Sequence, residues 1–322
     1  MRPVFFFFLL WILLTACGPI LPLDNPFEKR PVPNTTGKTE PKAPLQIFVL
    51  NIGQGDSTLI VGPTGKTLLI DGGPPGQGRE TVLPFLRERG IDSLDWVVAT
   101  HYDADHIGGI SEILRGVDQV FGTKDDLIPL FGLLDRGPST DKSSSIYFFY
   151  LNELGEFRRT IQVGESFTLG GDATAEVIVA NGHYQDGRSI HLNPDEENEA
   201  CIGILVHYGD FQYFTAGDLT GGGSPGGFET KDMETFAGEI VGDIDILHVG
   251  HHGSASSTNE NFLRLIQPEA AIISVGKDND YGHPTKTVLN RLEDVGAKVY
   301  RTDLLGTIEI KTDGADYEIG AY

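Results

Sequence analysis

Short runs of aliphatic and β-branched residues, bounded by Gly, Pro and Asp, recur along the chain from residue 45 onward. Such runs predict strands, because β-branched side chains pack well on a pleated surface and the bounding residues favour turns. In the first half of the chain the predicted strands are Leu45–Asn51, Ser57–Val61, Thr67–Ile70 and Asp95–Ala99. In the second half they are Thr160–Val163, Ala175–Ala180, Ile202–Tyr208, Phe211–Ala216, Ile244–Val249, Ala270–Val275 and Lys298–Arg301. Gly209 and Asp210 supply turn chemistry for a hairpin.

Apolar residues at helical spacing predict helices between these strands, at Glu80–Arg89, Ile107–Leu114, Asn259–Ile266 and Thr285–Val295. Gly90 is a natural C-terminal stop for the first helix, and Pro84 is expected to distort its first turn or to mark its start. Phe121–Gly155 is less regular, with Ser143–Ser145 in its midst, and is expected to cover the functional site. The glycine run Gly221–Gly227 lacks the Gly-Lys-Ser/Thr ending of a phosphate-binding loop, so it is expected to be a flexible loop.

The first residues of the chain have the pattern of a secretory signal. Arg2 precedes the apolar run Phe5–Leu14, which is too short to span a bilayer as a permanent helix. Small residues then precede Cys17, as at a signal-peptide cleavage site. Leu14–Cys17 resembles a bacterial lipobox, which implies that residues 1–16 are a signal peptide and that Cys17 carries lipid. The alternative is an uncleaved membrane anchor.

Residues 17–44 are expected to form an extended tether, because Gly18–Pro44 holds seven prolines in 27 residues and few large apolar side chains. Stretched at roughly 3 Å per residue, it could hold the globular part several tens of Å from a membrane. The alternative is a proline-rich docking motif. Lipidation would anchor the protein to a periplasmic or cell-surface membrane of a bacterium, with the lipid as its only membrane contact.

The chain carries a formal net charge of −22, from 24 Lys and Arg against 46 Asp and Glu. An acidic surface repels polyphosphate chains, and we find no basic stripe of the kind that nucleic-acid-binding proteins carry. The charge therefore weighs against a long nucleic acid as substrate. Two cysteines give no disulfide framework, and Cys201, at the head of an apolar run, is expected to be a small buried residue.

Four side chains of metal-binding type stand within six residues, directly after the apolar run Trp96–Ala99: His101, Asp103, Asp105 and His106. Their spacing predicts a non-helical loop at a strand end. There, alternate side chains can converge on one point while the adjacent pair turns toward a second. Such oxygen and nitrogen donors suit one or two divalent cations. The alternative is a solvated acidic loop with two incidental histidines.

This segment resembles the H-x-H-x-D-H fingerprint of the metallo-β-lactamase superfamily, and most of all the hydrolase domain of ComEC-type competence proteins, which often has Asp where Asp103 stands. Further segments resemble that family's motifs in the family's order: Asn51–Ser57, Leu69–Gly73, Gly217-Asp218, His251–Ser254 and Tyr281–Pro284. The resemblance extends from about Leu45 to Ile310. It implies an α/β protein with a four-layer αββα sandwich, formed as a single domain by residues 45–322.

The resemblance also implies a site for two divalent metal ions, Zn or Mn. His101 and Asp103 would bind one ion, Asp105 and His106 the other, and Asp218 would bridge the two. One histidine of the pair His251 and His252 would complete the second site. His252 is favoured because the superfamily's ligand is commonly followed by Gly, and His251 would then contact a substrate oxygen. The sequence leaves the order of these two open.

Three more residues are implied to support the site. Asp71 would orient a ligand histidine through its ring N–H, the alternative being a simple turn residue. His283 would contact the phosphate or the leaving group, the alternative being a loop histidine beside a proline. Asp56 would organise the floor of the site without binding metal. The expected catalytic residues are Asp105, His251 and His283.

One position departs from the superfamily pattern. Typical members place a third histidine of the first metal site shortly before the strand that leads to the bridging Asp, whereas this chain has Asn198 there, as ComEC-type proteins do. His183 and His191 lie upstream but do not align. The expected first site is therefore weaker and richer in oxygen, which favours Mn²⁺ or Mg²⁺.

The resemblance implies an extracytoplasmic hydrolase that uses a metal-activated water on phosphodiesters, with DNA as one candidate substrate. Asp103 and Asp218 make β-lactamase or thioester hydrolase activity less expected. One alternative is a small-molecule phosphoester hydrolase similar to phosphorylcholine esterases. Another is a non-catalytic metal-binding surface module, which Asn198 would favour. No protein partner can be inferred.

Overall fold

Two mixed β-sheets stack face to face, and helices cover the outer surface of each. The computed structural model describes residues 44–139, 144–223 and 229–322, and all of these lie in one compact unit. The predicted signal peptide, the lipidation site Cys17 and residues 17–43 of the predicted tether lie outside the described residues. Within the described part of the chain, no helix is long and apolar enough to cross a membrane.

The strands of the described residues, in chain order, are β1 (Leu45–Val49), β2 (Thr58–Val61), β3 (Thr67–Ile70), β4 (Trp96–Val98), β5 (Leu133–Asp135), β6 (Arg158–Thr160), β7 (Ser166–Gly170), β8 (Ala173–Ala180), β9 (His183–Tyr184), β10 (Gly203–Tyr208), β11 (Phe211–Thr215), β12 (Gly221–Gly223), β13 (Thr230–Asp232), β14 (Ile246–His248), β15 (Ala270–Ile273), β16 (Lys298–Arg301), β17 (Ile308–Thr312) and β18 (Tyr317–Ala321).

The α-helices of the same residues are α1 (Leu83–Glu88), α2 (Ala104–Ile107), α3 (Ile110–Leu114), α4 (Ser145–Leu154), α5 (Glu234–Val241), α6 (Glu260–Ile266), α7 (Lys286–Asp294) and α8 (Thr302–Leu305). Short 3₁₀ turns lie at Gly155–Phe157, Glu197–Ala200 and Gly250–Gly253, and a π-helical turn at Gly78–Val82 leads into α1.

The first sheet has the order β18-β17-β1-β2-β3-β4-β5-β6, and the second has the order β16-β15-β14-β11-β10-β8-β7, with β9 paired to β8. Each sheet is antiparallel in one part and parallel in the other. In the first, β3, β4, β5 and β6 are parallel neighbours. In the second sheet, the parallel neighbours are β11, β14, β15 and β16. The carboxyl ends of these parallel strands are where loops from both sheets bring polar side chains together.

Both faces of the central strands are buried. Successive side chains of a strand point to opposite faces of the sheet, so neighbouring residues belong to different clusters. Along β1, Ile47 belongs to the cluster between the sheets, whereas Phe48 packs toward the helices on the outside. Val98 and Val97 divide in the same way along β4. Helices α1, α3 and α4 cover the first sheet, and α5, α6 and α7 cover the second. The predicted four-layer αββα sandwich is therefore confirmed.

Several predicted elements are confirmed with shifted ends. The hairpin pairs β10 with β11 in the register Ile204↔Thr215, and Cys201 is fully buried. Helix α1 begins at Leu83, one residue before Pro84, since proline fits the first helical turn. The strand predicted at Thr160–Val163 instead ends at Thr160 as β6.

Regular structure lies inside both of the segments for which the sequence predicts less regular or flexible backbone. Phe121–Gly155 contains α4, which Ser144 caps by accepting a hydrogen bond from the Tyr147 N–H. Its helical period is obscured because Phe148 and Phe149 are exposed. In the glycine run, Gly221–Gly223 is strand β12 and pairs with β13, while residues 224–228 lie outside the described residues.

Candidate metal centre

Loops from both sheets meet at the carboxyl ends of the parallel strands. Asp71 follows β3, and the segment that starts at His101 follows β4. Asp218 follows β11 in the second sheet, and the pair His251-His252 follows β14. Gly217, at φ +51°, lets the second sheet's loop approach closely, because a Cβ there would lie 2.5 Å from the Thr100 hydroxyl oxygen. The chain thus brings polar residues from four strand ends into one cluster.

The buried Asp218 carboxylate lies at the centre of four imidazoles. Its Oδ1 lies 3.2 Å from His106 Nε2 and 3.7 Å from His252 Nε2. Its Oδ2 lies 3.5 Å from His251 Nε2 and 3.9 Å from His101 Nε2. Each carboxylate oxygen therefore faces two histidine nitrogens.

Two further carboxylates flank this group, one on each side. Asp103 Oδ2 lies 3.6 Å from His101 Nε2, and Asp105 Oδ2 lies 3.3 Å from His252 Nε2. Candidate ligand atoms of Asp105, His106 and His252 lie within 4.8 Å of one another, as do those of His101, His106 and Asp218. The structure thus brings together all the side chains that the sequence predicts as metal ligands.

The backbone from His101 to His106 differs from the predicted non-helical loop in one respect. His101 and Asp103 precede the helical turn, and Asp103 is extended, with φ −75° and ψ 150°. Helix α2 then begins at Ala104, so Asp105 and His106 lie on a helical turn and not on an irregular loop. This switch from extended to helical backbone directs the two pairs toward different points.

Asp71 fixes the orientation of the His106 ring. Its Oδ1 accepts a hydrogen bond from the Thr100 N–H at 2.8 Å, and its Oδ2 accepts one from the Thr100 hydroxyl at 2.7 Å. The same Oδ2 lies 2.8 Å from His106 Nδ1. Because an ionised carboxylate only accepts, Nδ1 carries a proton, and Nε2 is the ring nitrogen that faces Asp218 and becomes available to a cation once it loses its own proton.

His252 is held in the same sense by a backbone group. Its Nδ1 lies 3.0 Å from the Ser274 carbonyl oxygen, which can only accept a hydrogen bond. Nε2 is therefore the ring nitrogen left to coordinate a cation. His251 and His252 both adopt the left-handed backbone region, at φ 50° and 53°, which is unfavourable for residues with a Cβ. Their rings consequently leave the turn in different directions, with an interplanar angle of 77°.

The buried carboxylate and the imidazoles around it shift one another's pKa values. Burial raises the pKa of Asp218, but His251, His106 and His252 outweigh that effect and hold the pKa well below its usual range. Burial lowers the pKa of His106, yet Asp218 and Asp71 raise that pKa well above its usual value. The pKa of His252 is raised in the same way, first of all by Asp218. A bound cation would take the place of the protons on these imidazoles.

Orphaned buried atoms provide a further test of whether a metal fits. Among the residues that the structure describes, His101 Nε2, His106 Nε2, His252 Nε2 and Asp218 Oδ1 are buried and make no hydrogen bond of acceptable geometry. Leaving buried polar atoms unpaired is costly. The three nitrogens face the Asp218 carboxylate, and divalent cations are ordinary partners for such nitrogen and oxygen donors. The residues therefore fit a metal centre.

A cleft of about 630 Å³ opens beside His251, and Asn198, Ser256, Tyr281 and His283 are among its other lining residues. The ring of His283 lies 5.6 Å from that of His251 and stacks on exposed Tyr281 at 5.8 Å. Burial, together with His251 and His252, lowers the pKa of His283 to about 4. His283 is therefore neutral near pH 7 and lies where a substrate in the cleft would meet it.

The sequence analysis missed His248, a buried residue at the end of β14. Its Nε2 lies 3.6 Å from Asp56 Oδ1, which in turn lies 3.5 Å from His252 Nδ1. Its Nδ1 lies 3.1 Å from the Tyr213 hydroxyl. Asp56 therefore lies between His248 and His252, and its candidate ligand atom also lies within 4.8 Å of those of Asp218 and His252. The available signal was a histidine near the end of the mostly apolar run Ile244–Val249.

A buried ion pair behind the ligand segment was also missed. Arg136 donates from Nε and Nη2 to the two carboxylate oxygens of Glu197, at 2.8 and 2.6 Å. Glu197 Oε1 also accepts a hydrogen bond from the Tyr102 N–H at 2.9 Å. This contact ties the backbone between His101 and Asp103 to the other half of the molecule. No local sequence pattern indicates it, because the partners are 61 residues apart.

Comparison with known proteins gives one family match. The family model described as the metallo-β-lactamase superfamily matches residues 50–277. The chain is 30% identical over 282 residues to ComE operon protein 3 of Bacillus subtilis (strain 168), covering 83% of this chain and 33% of that protein. It is 31% identical over 279 residues to Recombination protein 2 of Haemophilus influenzae, covering 84% and 29%. The chain thus spans about a third of the length of these relatives.

Among solved structures, CmlA, a diiron β-hydroxylase from Streptomyces venezuelae, aligns with a TM-score of 0.46 and 16% identity, over 84% of this chain and 54% of that one. The metal-dependent hydrolase Tm1679 of the β-lactamase superfamily aligns with a TM-score of 0.45 and 13% identity, over 80% and 95%.

Proposed function

The chain belongs to the metallo-β-lactamase superfamily, and on that premise we propose that it is a metal-dependent hydrolase of phosphodiesters. The observation that carries the proposal is the Asp218 carboxylate, each of whose oxygens faces two histidine nitrogens. A carboxylate in that position is a hard ligand that two divalent cations can share. The superfamily resemblance implies cysteine at this position in classical β-lactamases, so an aspartate here favours phosphodiester over lactam chemistry.

Each side of Asp218 has its own protein ligands in this proposal. His101 and Asp103 would hold one ion, and Asp105, His106 and His252 the other. When bound, two divalent ions would activate a water for attack and offset the charge that builds up on the phosphate oxygens. The donors are imidazole and carboxylate, which suit Zn²⁺ and Mn²⁺ alike.

The other residues of the site would orient the ligands and the substrate. Asp71 keeps His106 Nε2 directed at Asp218 through its contact with Nδ1. Neutral His283 would donate a ring N–H to a phosphate oxygen or hold a proton near the leaving group. The exposed ring of Tyr281, stacked on His283, offers a flat face to a base or an aryl group.

DNA is the leading candidate for the substrate. Two of the matched relatives carry the printed names "Recombination protein 2" and "Competence protein ComA", and the chain covers about a third of each. The charge of −22 instead supports a second candidate, a small-molecule phosphodiester, since a long polyanion would be repelled. The rival of a different class is a non-catalytic metal-binding module, which would bind the ions without turnover.

The proposed location is a bacterial membrane surface, with the protein anchored through lipid on Cys17. The support for it is the sequence Leu14–Cys17 alone.

One experiment separates these possibilities. The purified full-length chain would be assayed in Mn²⁺ and in Zn²⁺ against an aryl phosphodiester, single-stranded DNA and double-stranded DNA. Hydrolysis of the aryl diester that stops on chelation supports the phosphodiesterase, and cleavage of either DNA extends it to a nuclease. Two bound ions without hydrolysis of any substrate in the panel would contradict the proposal and favour the binding module. Asp210→Ala, at the exposed hairpin turn, is a matched control for substitutions of Asp218.

A further inference from the structure

The first metal site is short of one ligand if only the aligned positions are counted. On its side of Asp218 lie His101 and Asp103, and Asn198 stands where a third histidine is usual. We propose that His251 supplies the missing ligand through Nε2, so that the adjacent histidines serve different ions, His251 the first and His252 the second. This inference rests on the proposed dinuclear function.

The distances show that His251 and His252 lie nearest to different oxygens of Asp218. His251 Nε2 lies 3.5 Å from Oδ2, the same oxygen that His101 faces at 3.9 Å. His252 Nε2 lies 3.7 Å from Oδ1, the oxygen that His106 faces at 3.2 Å. His251 is thus on the His101 side of the carboxylate, and it is nearer to that side's oxygen than His101 itself.

The backbone turn makes this division possible. Two consecutive residues of a strand or helix could not place both rings against one carboxylate, because their side chains would diverge by the period of the element. Here His251 and His252 both adopt the left-handed region, and Gly253 follows at φ +83°. The turn brings both Nε2 atoms within 3.7 Å of Asp218 while the ring centroids stay 6.1 Å apart.

The surroundings of His251 orient it as a ligand. Its Nδ1 lies 3.2 Å from the Ser256 hydroxyl and 3.4 Å from the Asn198 side-chain amide. These contacts hold the ring by the nitrogen that faces away from Asp218 and leave Nε2 directed at Oδ2. Asn198 therefore contacts the replacement histidine, where the superfamily pattern would make position 198 a ligand itself.

With His251 included, the two sites have the same composition. Each has two histidines, one aspartate of its own and one oxygen of Asp218. The sequence predicted a weak first site because Asn198 replaces a ligand histidine. His251 supplies an imidazole ligand in its place.

The test compares metal binding by the full-length chain and three variants, with apparent affinities measured by titration with Co²⁺ and with Mn²⁺ against a competing chelator. The Co²⁺ absorption bands report ligand changes independently of turnover. His251→Ala and His251→Gln are each expected to lower the affinity for one ion by more than the roughly 10–100-fold that loss of an outer-shell partner costs, and to change the Co²⁺ spectrum. His283→Ala, which removes another histidine from the same cleft, is the control and is expected to keep both ions.

The outcomes are distinct. If both His251 variants remain folded by circular dichroism and retain two ions within about threefold of the parent affinities, as His283→Ala should, the inference is overturned while the dinuclear hydrolase stands. If the parent chain binds fewer than two ions, the dinuclear function fails and the inference fails with it. Loss of one ion in His251→Gln as well as in His251→Ala supports His251 as a ligand, because both variants remove the imidazole.

Discussion

Asp71 accepts the Nδ1–H of His106 at 2.8 Å and so decides which nitrogen of that ring faces Asp218. The carboxylate is fully buried and is held in turn by the Thr100 N–H and hydroxyl. It lies on the Nδ1 side of the His106 ring, whereas Asp218 lies on the Nε2 side. The relationship explains how one His106 tautomer can be imposed without a change in the ligand set.

Asp71→Asn is expected to weaken the second ion. An amide presents N–H groups to partners that already donate, so the Thr100 and His106 contacts cannot all be kept. We expect the affinity of one ion to fall roughly 10–100-fold, measured by chelator competition with Mn²⁺ or Zn²⁺. Asp210→Asn is the matched control at an exposed turn. Unchanged affinities in folded Asp71→Asn would show that the contact does not orient a ligand.

His283→Ala should separate substrate handling from metal binding. Since His283 lies beside His251 and its pKa is lowered to about 4, the residue is proposed as a neutral hydrogen-bonding group in the cleft. Turnover of an aryl phosphodiester is expected to fall roughly 10²–10⁴-fold, the range for loss of a positioned acid or base. Metal content should equal that of the parent. A variant that loses metal would show instead that His283 is a ligand.

Metal affinity should rise with pH. His106 and His252 have raised pKa values in the metal-free protein, first of all because of Asp218, so an incoming cation must displace protons. The apparent affinity for Zn²⁺ should therefore increase between about pH 6 and about pH 8, with protons released on binding. Calorimetry in two buffers of different ionisation enthalpy measures that release. Affinity that is flat or falls over this range, without proton release, would contradict the ionisation states described for the site.

Cys17 is expected to be the mature N-terminus and to carry lipid. Cys17→Ser should abolish acylation and leave an uncleaved precursor, because the modified thiol is the substrate of the processing step implied by Leu14–Cys17. Mass spectrometry of the membrane fraction distinguishes the two forms. Equal processing and equal lipid content in parent and variant would rule out the lipoprotein hypothesis.

Much of the fold could be predicted because its strands are continuous apolar runs with clear turns at their ends. The hairpin of β10 and β11 is one example, with Gly209 at φ +61° in its turn. Helix α4 could not, since its exposed Phe148 and Phe149 hide the amphipathic period. Strand β17, Ile308–Thr312, was missed although it alternates apolar and polar residues.

The site was predicted as a set of residues, and its geometry was not. Spacing alone found His101, Asp103, Asp105 and His106, because four donors in six residues are unusual. Spacing could not tell which carboxylate oxygen each imidazole faces, since that depends on the left-handed turn at His251 and His252. His248 was missed for a related reason: a histidine at the end of an apolar strand resembles an ordinary core residue until Asp56 is seen beside it.

The most direct test of the central claim is Asp218→Ala, with metal content and turnover measured on the same sample. If Asp218 is shared by two ions, its loss removes the bridging ligand. The negative charge that offsets the repulsion between the two cations is lost with it. Bound metal should then fall below two ions per chain, and hydrolysis of an aryl phosphodiester in Mn²⁺ should be lost, while Asp210→Ala keeps both. Full activity with two bound ions in Asp218→Ala would contradict the dinuclear phosphodiesterase.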